Sequence, residues 1–130
     1  VHAARGALDV TLDYVKERQA FGQAVAQFQN TRFTLAQVAT EIAAGEAFLN
    51  AGVAAYLRGE LSPEAASAIK LHASELFSRV SDQCLQLFGG YGYMAEYPIS
   101  RFWTDSRVLR IYGGTSEIMK ELVARALLGR

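Results

Sequence analysis

Apolar residues recur along this chain at helical spacing, three and four apart, and hardly anywhere in strict alternation. Leu8, Leu12 and Val15 predict a first helix from about Ala3 to Arg18. The stretch "ERQAFGQAVAQFQ" then interrupts the pattern, with Gly22 as the break. A second helix is predicted from about Thr31 to Arg58. Its apolar stripe is Leu35, Val38, Ile42, Leu49, Val53 and Tyr56, and Gly59 is placed as its C-terminal cap. In "SPEA", Ser62 is a good N-cap and Pro63 a good first helical residue. Ile69, Leu76, Val80 and Leu87 carry a third helix to Phe88, where Gly89-Gly90 stops it. "GYGYMAEYPISRFWTDSRVLR" reads as irregular, with a short helix from about Ile99 to Arg107, and a last helix runs from near Thr115 to about Leu128. The fold class this pattern predicts is all-α, an antiparallel helical bundle.

Composition agrees. β-branched residues are sparse and alanine is abundant, as a helical chain prefers. Half the residues are hydrophobic and a fifth are charged, which permits a packed core and argues against disorder. The length suits one domain, residues 1–130. Lys plus Arg equals Asp plus Glu, 13 of each, so neither nucleic acid nor an anionic membrane is indicated as a partner. No apolar run approaches the roughly 20 residues of a membrane span. Cys84 is the single cysteine, which excludes an internal disulfide and suits a reducing compartment: the cytoplasm, with the mitochondrial matrix as the alternative. Cys84 sits in the helical run "SDQCLQLF" and reads as a small buried apolar residue. The chain opens on Val1 with a helix already under way and no capping residue, so it is expected to be a piece of a longer protein.

Few side chains advertise chemistry. His2 and His72 lack ligand spacing to any carboxylate cluster, so no metal site is predicted, and His72 reads as a packed or surface residue. No nucleophile elbow or phosphate loop is present. What remains are three glycine-bearing breaks beside polar groups: "RQAFG", "LFGGYGYMAEYP" and "IYGGTSE". They have a plain reading as helix ends. Arg18, Gln29, Gln86 and Thr115 nevertheless all fall at or near such ends, where backbone donors are free. This suggests a flat or anionic cofactor laid against one end of the bundle.

"RQAFG" at 18–22, "FQ" at 28–29, "QLFGGYGYMAEYPISRF" at 86–102, "TDSRV" at 104–108 and "IYGGTSEIMKELVAR" at 111–125 resemble, in order, the C-terminal helical domain of the acyl-CoA dehydrogenases, most closely the long-chain type. The resemblance covers almost the whole chain. It implies a three-domain flavoenzyme whose N-terminal helical and middle β domains are absent here. It also implies FAD as cofactor, an acyl-CoA substrate, an electron-transfer flavoprotein as acceptor, and a homodimer or homotetramer assembled through this bundle. By motif position, Arg18 resembles the arginine that contacts the FAD pyrophosphate, a job suited to a guanidinium. Phe28 and Gln29 occupy another FAD-contacting position, Phe28 standing where some members have His. Gln86, Gly89 and Gly90 match an adenine-side segment contributed across the dimer. Thr115 and Glu117 match the flavin-contacting start of the last helix, and Gly113 and Gly114 match the substrate side.

The family's chemistry removes a proton α to a thioester and passes a hydride from the β carbon to the flavin, which requires a carboxylate base. In most members that base is a Glu at the position of Gly113. The resemblance to the long-chain and isovaleryl branches implies a base on the helix preceding "RQAFG", upstream of Val1, so that this chain contains no catalytic residue. Asp9, Asp13 and Glu17 fall too late along that helix and read as solvated charges. An isolated fragment is then expected to be inactive. Two alternatives remain open: a non-catalytic helical assembly or binding module, and a flavin oxidase or monooxygenase on the same scaffold.

Overall fold

The computed structural model describes residues 1–129. Among the described residues the chain forms five α-helices and one very small β-hairpin. Helix α1 spans His2–Glu17, α2 Gln29–Leu57, α3 Pro63–Phe88, α4 Pro98–Val108 and α5 Ser116–Leu128. The predicted elements are therefore all present, with ends shifted by one or two residues. Ser62 Oγ accepts a hydrogen bond from the Ala65 amide, with Pro63 in the first turn, as the sequence predicts for the start of α3. At the end of α2 the Gly59 amide donates to Tyr56 and the Glu60 amide to Ala55, with Gly59 at φ 71°. This is the paired Schellman closure that a glycine just past a helix allows.

α3 is the axis of the fold and packs against each of the other four helices. Its Leu76, Phe77, Val80, Cys84 and Phe88 meet Ala4, Ala7 and Leu8 of α1, Val38 and Ile42 of α2, and Ile99 of α4 in one core. Burial pushes the Cys84 thiol pKa up, and Asp9, Asp13 and Glu17 are exposed, both as the sequence suggested.

The stripe predicted for α2 holds only in part. Val38 and Ile42 are fully buried, but Val53 and Tyr56 are exposed, at 49% and 70%. The contact with α3 runs instead through Gly45 and Gly52. A Cβ on Gly45 would lie 2.5 Å from Leu76 Cδ2, and one on Gly52 would overlap Ile69 Cδ1. Two small residues seven apart bring the helix backbones close, so large side chains beside them are left at the rim. A further difference is the interruption at Gly22, which is a hairpin of Gln19–Ala20 against Gln23–Ala24. Its two central residues, Phe21 and Gly22, have φ of 49° and 80°, the arrangement that matches the twist of a two-residue turn.

Candidate functional site

The sequence-predicted residues form two clusters. The first lies where the end of α1 meets the end of α3. Tyr14 stacks on Phe88 with ring centroids 3.9 Å apart, and its hydroxyl donates to the Phe88 carbonyl at 3.3 Å. That contact fixes the exit of α1, so Arg18 emerges beside the turn that follows α3. The Arg18 guanidinium lies over the Tyr91 ring, 5.1 Å from its centre, and no carboxylate pairs with it among the described residues. Gln86, Gly89 and Gly90 are exposed in the same region, and an added Cβ on either glycine would meet nothing within 4 Å. Phe28 is half-buried and Gln29 exposed where α2 begins.

Phe21, which the sequence reading passed over, belongs to this cluster. It is 97% exposed, has φ of 49°, and meets Phe28 edge-on at 6.3 Å. The signal for it was present: a Phe-Gly pair between two short Gln-Ala pairs is a turn with an aromatic at its tip.

The second cluster is the loop from α4 to α5, which carries both glycines of "IYGGT". Gly113 has φ of 63° and Gly114 φ of 97°, conformations that a residue with a Cβ adopts only under strain. The loop is fastened to α3. Glu75 Oε1 accepts from Arg110 Nε at 3.0 Å and from the Ser116 hydroxyl at 2.9 Å, and the Ser116 amide closes back on the Arg110 carbonyl at 3.1 Å. The Lys70 ammonium donates to the Gly114 carbonyl. Thr115 then caps α5, its hydroxyl accepting from the Ile118 amide at 3.3 Å. The Glu117 carboxyl is held below its usual pKa by its own backbone amide and by the Thr115 hydroxyl. The N-terminus of α5 is thus a capped helix end with an acid in its first turn, a placement its dipole favours.

The two glycines face different surroundings. A Cβ on Gly114 would come within 2.5 Å of Met119 Cε, whereas one on Gly113 would meet nothing within 4 Å. Gly113 lines a groove of about 340 Å³ together with Val1, Ala3, Lys70, Phe77 and Tyr112. The groove therefore joins the loop to the start of α1. Among the described residues no group of three or more His, Cys, Asp or Glu side chains is placed to hold a metal. No helix of the described residues is long and apolar enough to cross a membrane.

The two clusters lie apart along α3. Lys70, which touches the Gly114 loop, and Gln86, which belongs to the Arg18 cluster, are sixteen residues apart on α3. At a helical rise of about 1.5 Å per residue that is roughly 24 Å. Because α3 runs unbroken between them, the loop attaches near its N-terminal half and the α1 exit near its C-terminal end.

Residues 1–128 match the model of the acyl-CoA dehydrogenase C-terminal domain. The chain belongs to the acyl-CoA dehydrogenase family. Among curated proteins, the mitochondrial long-chain specific acyl-CoA dehydrogenase of Sus scrofa is 45% identical over 128 residues, covering 98% of this chain and 30% of that protein. Among solved structures, the acyl-CoA dehydrogenase of Geobacillus kaustophilus superposes with a TM-score of 0.93 at 42% identity, over 96% of this chain and 33% of that one. A glutaryl-CoA dehydrogenase of Mycobacterium smegmatis, solved in complex with FADH2, gives a TM-score of 0.94 at 27% identity, over 98% of this chain and 33% of that one. The chain thus spans about a third of the length of these relatives.

Proposed function

We propose that this chain is the C-terminal helical domain of an FAD-dependent acyl-CoA dehydrogenase, with an N-terminal helical domain and a middle β domain supplied elsewhere in the protein. The observation that carries this reading is the Gly113 loop. It is clamped to α3 and open at Gly113, and it faces a groove that it shares with the first residues of α1. A carboxylate carried on the helical turns leading into Val1 would enter that groove without meeting a side chain at position 113. In this reading the catalytic Glu lies upstream of Val1, Gly113 leaves space for it, and the two-glycine loop borders the acyl-CoA.

The residues fit FAD. Its phosphates call for a cation without an acid partner, which Arg18 supplies, and its rings call for exposed flat surface, which Phe21 supplies with the half-buried Phe28 edge-on beside it. Gly89 and Gly90 leave backbone open to close approach, and Gln86 is exposed beside them. When bound, FAD accepts the hydride from the β carbon of the substrate. The separation of about 24 Å along α3 supports assigning the Arg18 cluster to the FAD of a neighbouring subunit and Thr115 and Glu117 to the chain's own. A homodimer or homotetramer follows from that assignment. Apolar residues left uncovered on α2, namely Phe33, Val53, Tyr56 and Leu57, favour such assembly. Reoxidation by an electron-transfer flavoprotein and a reducing interior, cytoplasm or mitochondrial matrix, complete the proposal.

The test is flavin bleaching by acyl-CoA in the full-length protein. Removing the upstream Glu should abolish bleaching. Adding Gly113→Glu to that variant should restore part of it, since a base displaced by about 1 Å can cost on the order of a hundredfold in rate. Gly113→Glu alone should slow the reaction, because two carboxylates in one site repel and φ of 63° strains a Glu. A double variant no faster than the one lacking the upstream Glu would overturn the relocated base. Rapid reaction of the reduced flavin with oxygen would favour an oxidase instead.

A further inference from the structure

We propose that Lys70 is a positioning residue for the reaction: its ammonium holds the two-glycine loop in the conformation that keeps Gly113 open to the groove. This rests on the dehydrogenase reading above and deepens it.

Lys70 lies in the N-terminal half of α3 and is half-buried. None of the ion pairs among the described residues includes it. Lysine is a strongly hydrated cation on a flexible stem, and on a helix it ordinarily extends into water or reaches an acid. Here its ammonium is turned onto a backbone carbonyl, that of Gly114, across 44 residues of sequence. The same side chain lines the groove with Gly113 and Tyr112, and also the apolar groove between α2 and α3 that holds Leu49, Gly52 and Ile69.

The other ties on the loop act elsewhere. Glu75 binds Arg110 and Ser116, on either side of the glycines, and the Ser116 amide bonds to the Arg110 carbonyl. They hold Arg110 and Ser116, the residues flanking the loop, and none of them bonds to Gly113 or Gly114. Two consecutive glycines at positive φ have many other conformations within reach. The bond from Lys70 is made to the pair itself: it fixes the direction of the Gly114 carbonyl, and with it the Gly114–Thr115 peptide plane that closes the pair on its C-terminal side. A charged donor to a backbone acceptor is among the stronger hydrogen bonds in a protein. Lys70 touches neither substrate nor base in this account. It acts through the backbone it orients.

The experiment uses the full-length protein with Lys70→Met, which keeps the stem and loses the donor, and Lys70→Arg, which keeps a charged donor. Both should retain FAD and melt close to the unsubstituted protein. In Lys70→Met, kcat for flavin bleaching by acyl-CoA should fall by roughly tenfold to a hundredfold with KM little changed, as expected when reacting groups are misplaced by about 1 Å. Lys70→Arg should recover most of that loss. Hydrogen exchange supplies a readout independent of activity: the amides from Gly113 to Ser116 should exchange faster in Lys70→Met and return toward the original rate in Lys70→Arg. Unchanged exchange in Lys70→Met, or a Lys70→Met enzyme with full FAD content and unchanged kcat, overturns the proposal. So does a Lys70→Arg variant as slow as Lys70→Met. If the unsubstituted protein fails to bleach with any acyl-CoA, the dehydrogenase reading falls and the catalytic half of the proposal falls with it. The exchange measurement still decides whether Lys70 holds the loop.

Discussion

The two clusters along α3 are built in opposite ways. Around Arg18 the parts are displayed: Phe21 is almost fully exposed, Gln86 and Gly90 are open, and among the described residues the guanidinium rests on the face of Tyr91 and pairs with no carboxylate. Around Gly113 the parts are fastened: Lys70, Glu75, Arg110 and Ser116 tie the loop to α3, and Thr115 caps the helix that follows. A displayed cluster of cation and aromatic rings gains its value when something covers it. A fastened loop holds its geometry before anything arrives, which is what a site of chemistry requires. In the proposed reading the difference separates a docking end from a reacting end within one 26-residue helix and its neighbours.

That contrast can be broken by substitution. The largest effect on flavin binding is expected at the displayed end. In the full-length protein, Arg18→Ala should weaken flavin binding by roughly tenfold to a hundredfold, the size of a lost charge-assisted contact, while the melting temperature of the flavin-free protein stays unchanged. Titration of FAD into the two apoproteins, with calorimetry alongside, measures both. A fall in stability without a fall in affinity would make Arg18 a structural residue.

At the fastened end the two glycines should separate. Gly114→Ala incurs a positive-φ penalty and an approach of 2.5 Å to Met119 Cε, so a loss of about 2–3 kcal/mol is expected. Gly113→Ala meets open space and incurs only the backbone penalty, about 1 kcal/mol. Chemical denaturation of both variants checks the ranking. Equal losses would mean that Met119 moves aside freely.

The smallest effect concerns pH. Glu117 has a folded pKa below its unfolded value of about 4.3, so the stabilisation it gives is complete above that value and disappears as pH falls through the lower, folded one. Glu117→Gln should therefore flatten the acid side of a plot of melting temperature against pH, below about pH 4, and leave neutral pH nearly untouched. The change should be slight because the side chain is exposed. A plot with its acid slope intact would remove Glu117 from the loop's electrostatics.

Much of the molecule was legible in the order of residues. Periodicity and capping chemistry are local, so Ser62 with Pro63, Gly59 after α2, and Thr115 before α5 announced helix boundaries to within one or two residues. The motifs around Arg18, Gln86 and Gly113 likewise pointed to the segments where the candidate site lies. Val53 and Tyr56 misled because an apolar position at helical spacing reports that burial suits it, not that a partner is present. Gly45 and Gly52, which make the closest approach to α3, carry no hydrophobic signal at all.

What the sequence determined by itself is the set of helices, their ends, and the placing of glycines at the breaks, since each depends on neighbours within a turn or two. Only the tertiary structure decided which glycine is open. Gly113 and Gly114 are adjacent and alike in sequence, yet one faces a groove and the other faces Met119. Only the tertiary structure brought Lys70 to Gly114 and Glu75 to both Arg110 and Ser116, and set the Arg18 cluster roughly 24 Å away along α3. Those pairings span 35 to 44 residues. They exist because α3 packs against every other helix at once, and the packing of apolar faces, not any local preference, sets which polar groups arrive opposite one another.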